Sequence, residues 1–179
     1  MRIIAGNFKG RKLFAYSTAK LRPTSEKVKE ALFNILAPQI EDASFLDLYA
    51  GSGSIGIEAV SRGAKQAVFV ENNRQHLLLL KKNISLLPSR EQVPIVESSV
   101  LDFLKRNKTP FDLIFLDPPY EDDLEGLLQT LAQCDTIGPD SLVIVEHFHK
   151  KNIPDQIGDL SLLRRYPYGG TALSFYVRK

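Results

Sequence analysis

Apolar residues along this chain switch repeatedly between a period of two and a period near 3.6, and that alternation restricts the fold more than any other feature. Residues 45–49 form a short apolar run, residues 55–61 suit a helix, and residues 67–70 return to a strand pattern. A longer helix is predicted over 74–87, ended near Pro88, then a short strand over 94–96 and a helix over 100–106. Residues 113–116 form the next strand, 124–132 the next helix, and 142–145 the fifth strand. Such alternation predicts a parallel sheet wrapped by helices on both faces. The end differs. Residues 162–166 and 173–177 are strand-like with no helix between them, and Tyr168-Gly169-Gly170 supplies the turn. They read as an antiparallel pair that closes the sheet.

The first 25 residues stand apart by charge. Net charge over the chain is only +2. Yet residues 1–25 hold Arg2, Lys9, Arg11, Lys12, Lys20 and Arg22 and no acidic side chain, so the remainder is net −4. A basic segment on a mildly acidic body points to an anionic partner. Residues 2–4 and 12–14 are predicted to pair as a small hairpin around Gly6 and Gly10. Thr24 or Ser25 then caps a helix over 26–36, whose Val28, Ala31, Leu32 and Ile35 share one face. The expected division is a basic extension over 1–25 and a catalytic domain over 26–179. The start of the chain lacks the apolar run of a signal peptide, and no segment approaches the roughly 18 apolar residues of a membrane span. With one cysteine, Cys134, no intramolecular disulfide is possible. A cytoplasmic, membrane-free protein is expected.

Leu46-Asp47-Leu48-Tyr49-Ala50-Gly51-Ser52-Gly53-Ser54-Ile55-Gly56 lies where a strand ends and a helix begins. Gly51 and Gly53 let the backbone turn sharply and approach a ligand, Gly56 permits close helix–strand packing, and the helix start directs N–H groups at the ligand. The GxGxxG pattern alone fits NAD or FAD as well. Asp47 helps decide, because a carboxylate at the strand end is a poor neighbour for a pyrophosphate. It suits the cationic methionine end of S-adenosylmethionine. Glu71 ends the second strand, 20 residues after Gly51, where an acidic group can bind both ribose hydroxyls of an adenosine cofactor. Tyr49, Ala50, Ser52 and Asn72 flank these positions and join the expected cofactor site.

Asp117-Pro118-Pro119-Tyr120 follows the fourth strand. Two prolines fix φ and remove N–H donors, which stiffens the loop and leaves the Pro118 carbonyl available. The exocyclic amine of a nucleobase offers two N–H groups. Asp117 and the Pro118 carbonyl can accept both, aiming the nitrogen lone pair at an incoming methyl group, while Tyr120 stacks on a flipped base. The electrophile is already activated in a sulfonium, so catalysis is positioning and electrostatics.

Asp117 to Tyr120 resemble the mark of amine-directed nucleic-acid methyltransferases. Residues 1–6, 10–13, 21–24, 28–34, 47–53 and 58–64 look like the bacterial RsmD family, and the resemblance covers nearly the whole chain. It implies a Rossmann-like α/β class I methyltransferase sheet, mostly parallel with a C-terminal antiparallel hairpin, plus the small basic N-terminal hairpin. It implies methylation of N2 of one guanine in small-subunit (16S) ribosomal RNA, within an assembled or assembling particle, by a monomer using S-adenosylmethionine and no metal. Asp117, Pro118, Pro119 and Tyr120 would then hold the guanine. Asp47, residues 50–53 and Glu71 would hold the cofactor. Arg2, Lys9, Arg11, Lys12, Arg22 and Thr24 would contact RNA, the last two near the catalytic mouth. Ser99 and Val100 would contact adenine, although Ser99 departs from the acidic or amide residue usual at that position, and the tail after Asp155 diverges.

Three other readings compete. An adenine-N6 methyltransferase would use the same tetrapeptide, though a DNA enzyme usually adds a target-recognition region for which 179 residues leave little room. An NAD-dependent oxidoreductase would explain the glycines but neither Asp117 to Tyr120 nor the basic segment. A pure RNA-binding module would leave the intact tetrapeptide without a use. His76, His147 and His149 have no partners at metal-ligand spacing and read as structural or solvent-facing.

Overall fold

The computed structural model describes residues 1–15, 25–88 and 92–179. Its elements are α1 (Glu26–Leu36), β1 (Ser44–Leu48), α2 (Ser54–Ser61), β2 (Gln66–Glu71), α3 (Arg74–Ile84), β3 (Ile95–Glu97), α4 (Val100–Arg106), β4 (Phe111–Leu116), α5 (Leu124–Ala132), β5 (Ile137–Phe148), β6 (Gln156–Ile157), β7 (Leu160–Tyr168) and β8 (Thr171–Arg178). They form one sheet in the order β3-β2-β1-β4-β5-β8-β7-β6. The β1, β2, β3, β4 and β5 ladders are parallel, whereas β8 runs antiparallel between β5 and β7. The alternating half and the closing hairpin are as the sequence predicts.

Strand alternation builds two cores. Phe45, Phe69, Leu113, Phe115, Ile144 and Phe175 face one side and pack with α1, α2 and the end of α3. Leu46, Leu48, Val70, Ile114, Leu116 and Val145 face the other and pack with α4 and α5. Because side chains alternate along a strand, Asp47, Glu71, Asp117 and Glu146 continue the first face at the carboxyl ends of β1, β2, β4 and β5. That edge of an open parallel sheet is where ligands bind.

The N-terminal segment is part of the first core. Ile3 and Leu13 are buried in it, and the predicted hairpin reduces to one antiparallel bridge between Arg2 and Lys12. Buried Glu58 of α2 holds the segment, accepting from the backbone N–H of Ile4 at 2.8 Å and of Ala5 at 3.0 Å. Its charge is balanced by Lys29 at 3.3 Å and Arg62 at 2.8 Å. Lys29, also buried, donates to the Arg2 carbonyl at 2.8 Å. Gly6 is required there: its φ is +81°, and a Cβ would fall 1.7 Å from the Ser61 carbonyl oxygen.

Three differences from the sequence reading have local causes. α3 stops at Ile84, three residues early, and two tight turns carry the chain through Leu87. β5 begins at Ile137, because the strand continues through Gly138-Pro139-Asp140 with a register shift against β4 between Phe111 and Leu113. A two-residue strand, β6, extends the sheet beyond β7. Among the described residues, no helix is long and apolar enough to cross a membrane.

Candidate active site

β1 ends and the chain turns through three residues of positive φ, Tyr49 at 63°, Gly51 at 55° and Gly53 at 78°. Tyr49 is the exception among them, a bulky side chain in a region that favours glycine, and such outliers persist where surrounding structure imposes them. Close packing explains Gly56, since a Cβ there would lie 2.4 Å from the Phe69 ring. Asp47 is only 2% exposed. Its Oδ2 accepts from the Gly56 N–H at 2.9 Å, which ties β1 to the first turn of α2. Burial pushes its carboxyl up to about 8, with the Gly56 N–H opposing and the Glu71 charge adding.

Glu71 is buried at the end of β2. Its Oε2 accepts from Gly51 at 2.9 Å, and its Oε1 accepts from Asn72 at 2.9 Å and Asn73 at 2.8 Å. The His76 ring Nδ1 lies 3.3 Å from Oε2. A carboxylate has about four acceptor sites, so Glu71 already braces the glycine loop against the start of α3. A ribose would share or displace these bonds.

A cavity opens beside it, lined by Tyr49, Val70, Glu71, Asn72, Ser98, Ser99, Val100, Leu101 and Asp122. Tyr49, Glu71, Asn72, Ser99 and Val100 of the expected cofactor set meet here. Ser99 has local work as well. It caps α4, its hydroxyl accepting from the Asp102 N–H at 3.1 Å and donating to the Asp102 carboxylate at 2.7 Å. Val100, buried, offers an apolar wall. Asp122 is an addition to the expected set. It faces the Tyr49 hydroxyl, which burial and then this carboxylate push up to about 12.

The tetrapeptide follows β4. Pro118 is buried, while Pro119 and Tyr120 are exposed. The Pro119 carbonyl accepts from the Asp122 N–H at 3.0 Å, closing the loop. The Asp117 carboxyl sits well above the usual carboxylate range, first through lost hydration, then through the neighbouring Glu146 and Asp47 carboxylates. Glu146 is the functional candidate that sequence reasoning passed over. It lies next to Asp117 in strand order, one step past the Leu116–Val145 pair. An acidic residue at the carboxyl end of an otherwise apolar strand was its only sequence signal.

Arg2, Lys9, Arg11 and Lys12 are exposed. Arg2 pairs with Glu26 at 3.3 Å. Arg11 stacks its guanidinium over Phe8, 5.6 Å from the ring centroid, and donates to the Leu86 carbonyl. Arg22 and Thr24 lie outside the described residues. His147 bridges the Phe148 carbonyl and the Ser174 hydroxyl at 2.9 and 2.8 Å on the opposite sheet face, and Cys134 donates to the Thr130 carbonyl.

The fold has counterparts among solved structures. The precorrin-6y C5,15-methyltransferase of Geobacter metallireducens, 16% identical, shares the fold at a TM-score of 0.64 over 92% of this chain and 94% of that one. The structure of yhhF from Escherichia coli, 37% identical, reaches a TM-score of 0.88 over 100% and 98%. The family model described as conserved hypothetical protein 95 matches residues 1–177. The chain is 45% identical over 150 residues to the ribosomal RNA small subunit methyltransferase D of Haemophilus influenzae, covering 82% of this chain and 78% of that protein. Its counterpart in Escherichia coli K12 is 37% identical over 180 residues, covering 100% and 90%. The chain belongs to the RsmD family. An RsmD protein with this sheet has the class I methyltransferase fold, and the match from residue 1 takes the basic segment into the RsmD family pattern.

Proposed function

We propose that this chain transfers the methyl group of S-adenosylmethionine to N2 of a guanine in small-subunit ribosomal RNA. One observation carries the reading: Asp117, at the end of β4, shares a sheet face and edge with Asp47 and Glu71 of the adjacent β1 and β2. An amine-holding loop therefore adjoins the cleft that Tyr49, Glu71, Ser99 and Asp122 line. The names of the relatives supply the substrate class.

The residues fit the cofactor. Glu71 and Asn72 would hold the ribose, Ser99 and Val100 the adenine, and Asp47 with residues 49–53 the methionine end. The bound cofactor supplies a methyl group already activated by its sulfonium. Asp117 and the Pro118 carbonyl accept the two N–H groups of the guanine amine, and Tyr120 stacks on the flipped base. The raised Asp117 carboxyl takes up the proton released after transfer. Residues 1–25 form the RNA-facing part by role, although their described portion packs into the catalytic core, and Arg2, Lys9, Arg11, Lys12, Arg22 and Thr24 are assigned to phosphate contact. Phosphate contacts position RNA without reading its sequence. The substrate is an assembled or assembling ribosomal particle, and the enzyme acts as a cytoplasmic monomer.

The test is methyl transfer from labelled S-adenosylmethionine to small-subunit particles lacking the modification, followed by digestion to nucleosides. N2-methylguanosine is expected. N6-methyladenosine would retain the amine chemistry and overturn the base assignment, and no transfer would overturn the substrate.

A further inference from the structure

The catalytic Tyr120 does not stand alone. Its ring meets Phe148 edge-on, with centroids 6.1 Å apart and planes at 63°. Phe148 in turn meets His149, with centroids 5.0 Å apart and planes at 67°. Three rings thus step outward from the tetrapeptide, and all three are exposed, Tyr120 by 63% and Phe148 by 39%.

The ladder is braced from behind. Lys151 donates to the carbonyls of Tyr120 at 3.4 Å and Asp122 at 3.0 Å. Its own N–H donates to the Phe148 carbonyl at 2.9 Å, and the His149 N–H donates to the Gly170 carbonyl at 3.0 Å. Rings held this way lose little freedom on binding, which favours stacking. The local sequence His147-Phe148-His149-Lys150-Lys151 places cations beside the rings, and Lys150 is exposed. Of the nearby carboxylates, Asp123 is engaged as the N-cap of α5, Asp122 faces Tyr49, and Glu121, next to Tyr120, is exposed.

Exposed aromatic rings interleaved with cations match the chemistry of unpaired RNA, whose bases stack on aromatic faces and whose phosphates seek positive charge. Flipping one base out of a strand leaves its neighbour without a stacking partner, and the ladder begins where the flipped base is held. We propose that Phe148 and His149 form a stacking ledge for the unpaired nucleotide next to the methylated guanine, with Lys150 contacting its phosphate. The inference rests on the RNA reading above and adds a second RNA contact, apart from the basic N-terminal segment.

Phe148→Leu keeps apolar packing against Tyr120 but removes the π face, and Phe148→Trp keeps the face. Two measurements separate the ledge from the reaction. The first is binding of a short unpaired oligoribonucleotide containing 2-aminopurine, read by fluorescence quenching and independent of methyl transfer. The second is the KM for unmodified small-subunit particles alongside S-adenosylmethionine affinity. Phe148→Leu and His149→Ala are expected to weaken oligonucleotide binding and raise the particle KM by on the order of ten-fold, with cofactor affinity unchanged and Phe148→Trp near wild type. Wild-type quenching by Phe148→Leu, or equal loss in Phe148→Trp, would overturn the ledge. Quenching that depends on Phe148 in a protein that methylates no guanine would uphold the ledge and reject the proposed reaction.

Discussion

Asn83 holds the backbone of Phe14 from both sides: its Oδ1 accepts from the Phe14 N–H at 2.8 Å, and its Nδ2 donates to the Phe14 carbonyl at 3.0 Å. The same Nδ2 donates to the carbonyl of Ser52 in the glycine loop at 2.8 Å. One fully buried amide therefore joins the basic segment to the glycine loop. Asn83→Leu leaves these backbone groups without a partner, at about 1–3 kcal/mol for each one that stays buried. A clear drop in melting temperature is expected, together with weaker S-adenosylmethionine binding by calorimetry. Unchanged cofactor affinity in a folded variant would separate Asn83 from the loop.

Asp47 should make the protein less stable as pH rises. Its folded carboxyl is raised from 3.8 to about 8, so between those values the folded chain binds more protons than the unfolded one. Stability is then full below the ordinary aspartate range and falls until the folded group ionises. At about 1.4 kcal/mol per unit, the loss near neutrality is several kcal/mol. Asp47→Asn retains an acceptor for Gly56 and should raise the melting temperature at pH 7.5, with the gain shrinking toward pH 4, while weakening cofactor binding.

Asp117 and Glu146 predict a displaced acid limb in the rate profile. Asp117 accepts amine protons only when ionised, and its group titrates above the usual carboxylate range. Transfer should therefore rise with pH past the point where an ordinary aspartate is fully charged. Glu146→Gln removes one neighbouring negative charge and should move that limb to lower pH in kcat/KM. Asp117→Ala should abolish most transfer, and its cofactor affinity, measured by calorimetry, should remain.

Arg11 and Lys12 carry the electrostatic prediction. Reversing both to glutamate should weaken RNA binding and flatten its dependence on salt, because fewer counterions are released. Titration from about 50 to about 200 mM salt checks this, and an unchanged slope would remove these side chains from the interface.

Much of this was legible in the sequence where local signals agree. α1, α4 and α5 have the expected bounds, because apolar spacing and a capping Ser25, Ser99 or Asp123 coincide. The glycine loop and the tetrapeptide each stand at the end of an apolar strand run, β1 and β4, where the pattern breaks. The start of β5 was hidden, since Gly138-Pro139-Asp140 carries turn chemistry that the surrounding sheet overrides. Asn83 and Glu58 were hidden for another reason. Their partners lie 69 and 54 residues away, and a polar residue inside a helix pattern gives no sign of such a partner. The charge of the basic segment was legible, but its burial through Ile3 and Leu13 was not.

That burial sets an order of assembly. The segment is made first, yet Ile4 and Ala5 must wait for Glu58, and Phe14 must wait for Asn83, before their backbone groups are satisfied. Closing such long stretches of chain costs entropy before these contacts repay it. The basic segment therefore takes its final shape only with α2 and α3 in place. Deleting the first five residues would therefore remove Ile3 from the core and leave Glu58 without two of its donors, a loss of packing and not the trimming of a dispensable arm.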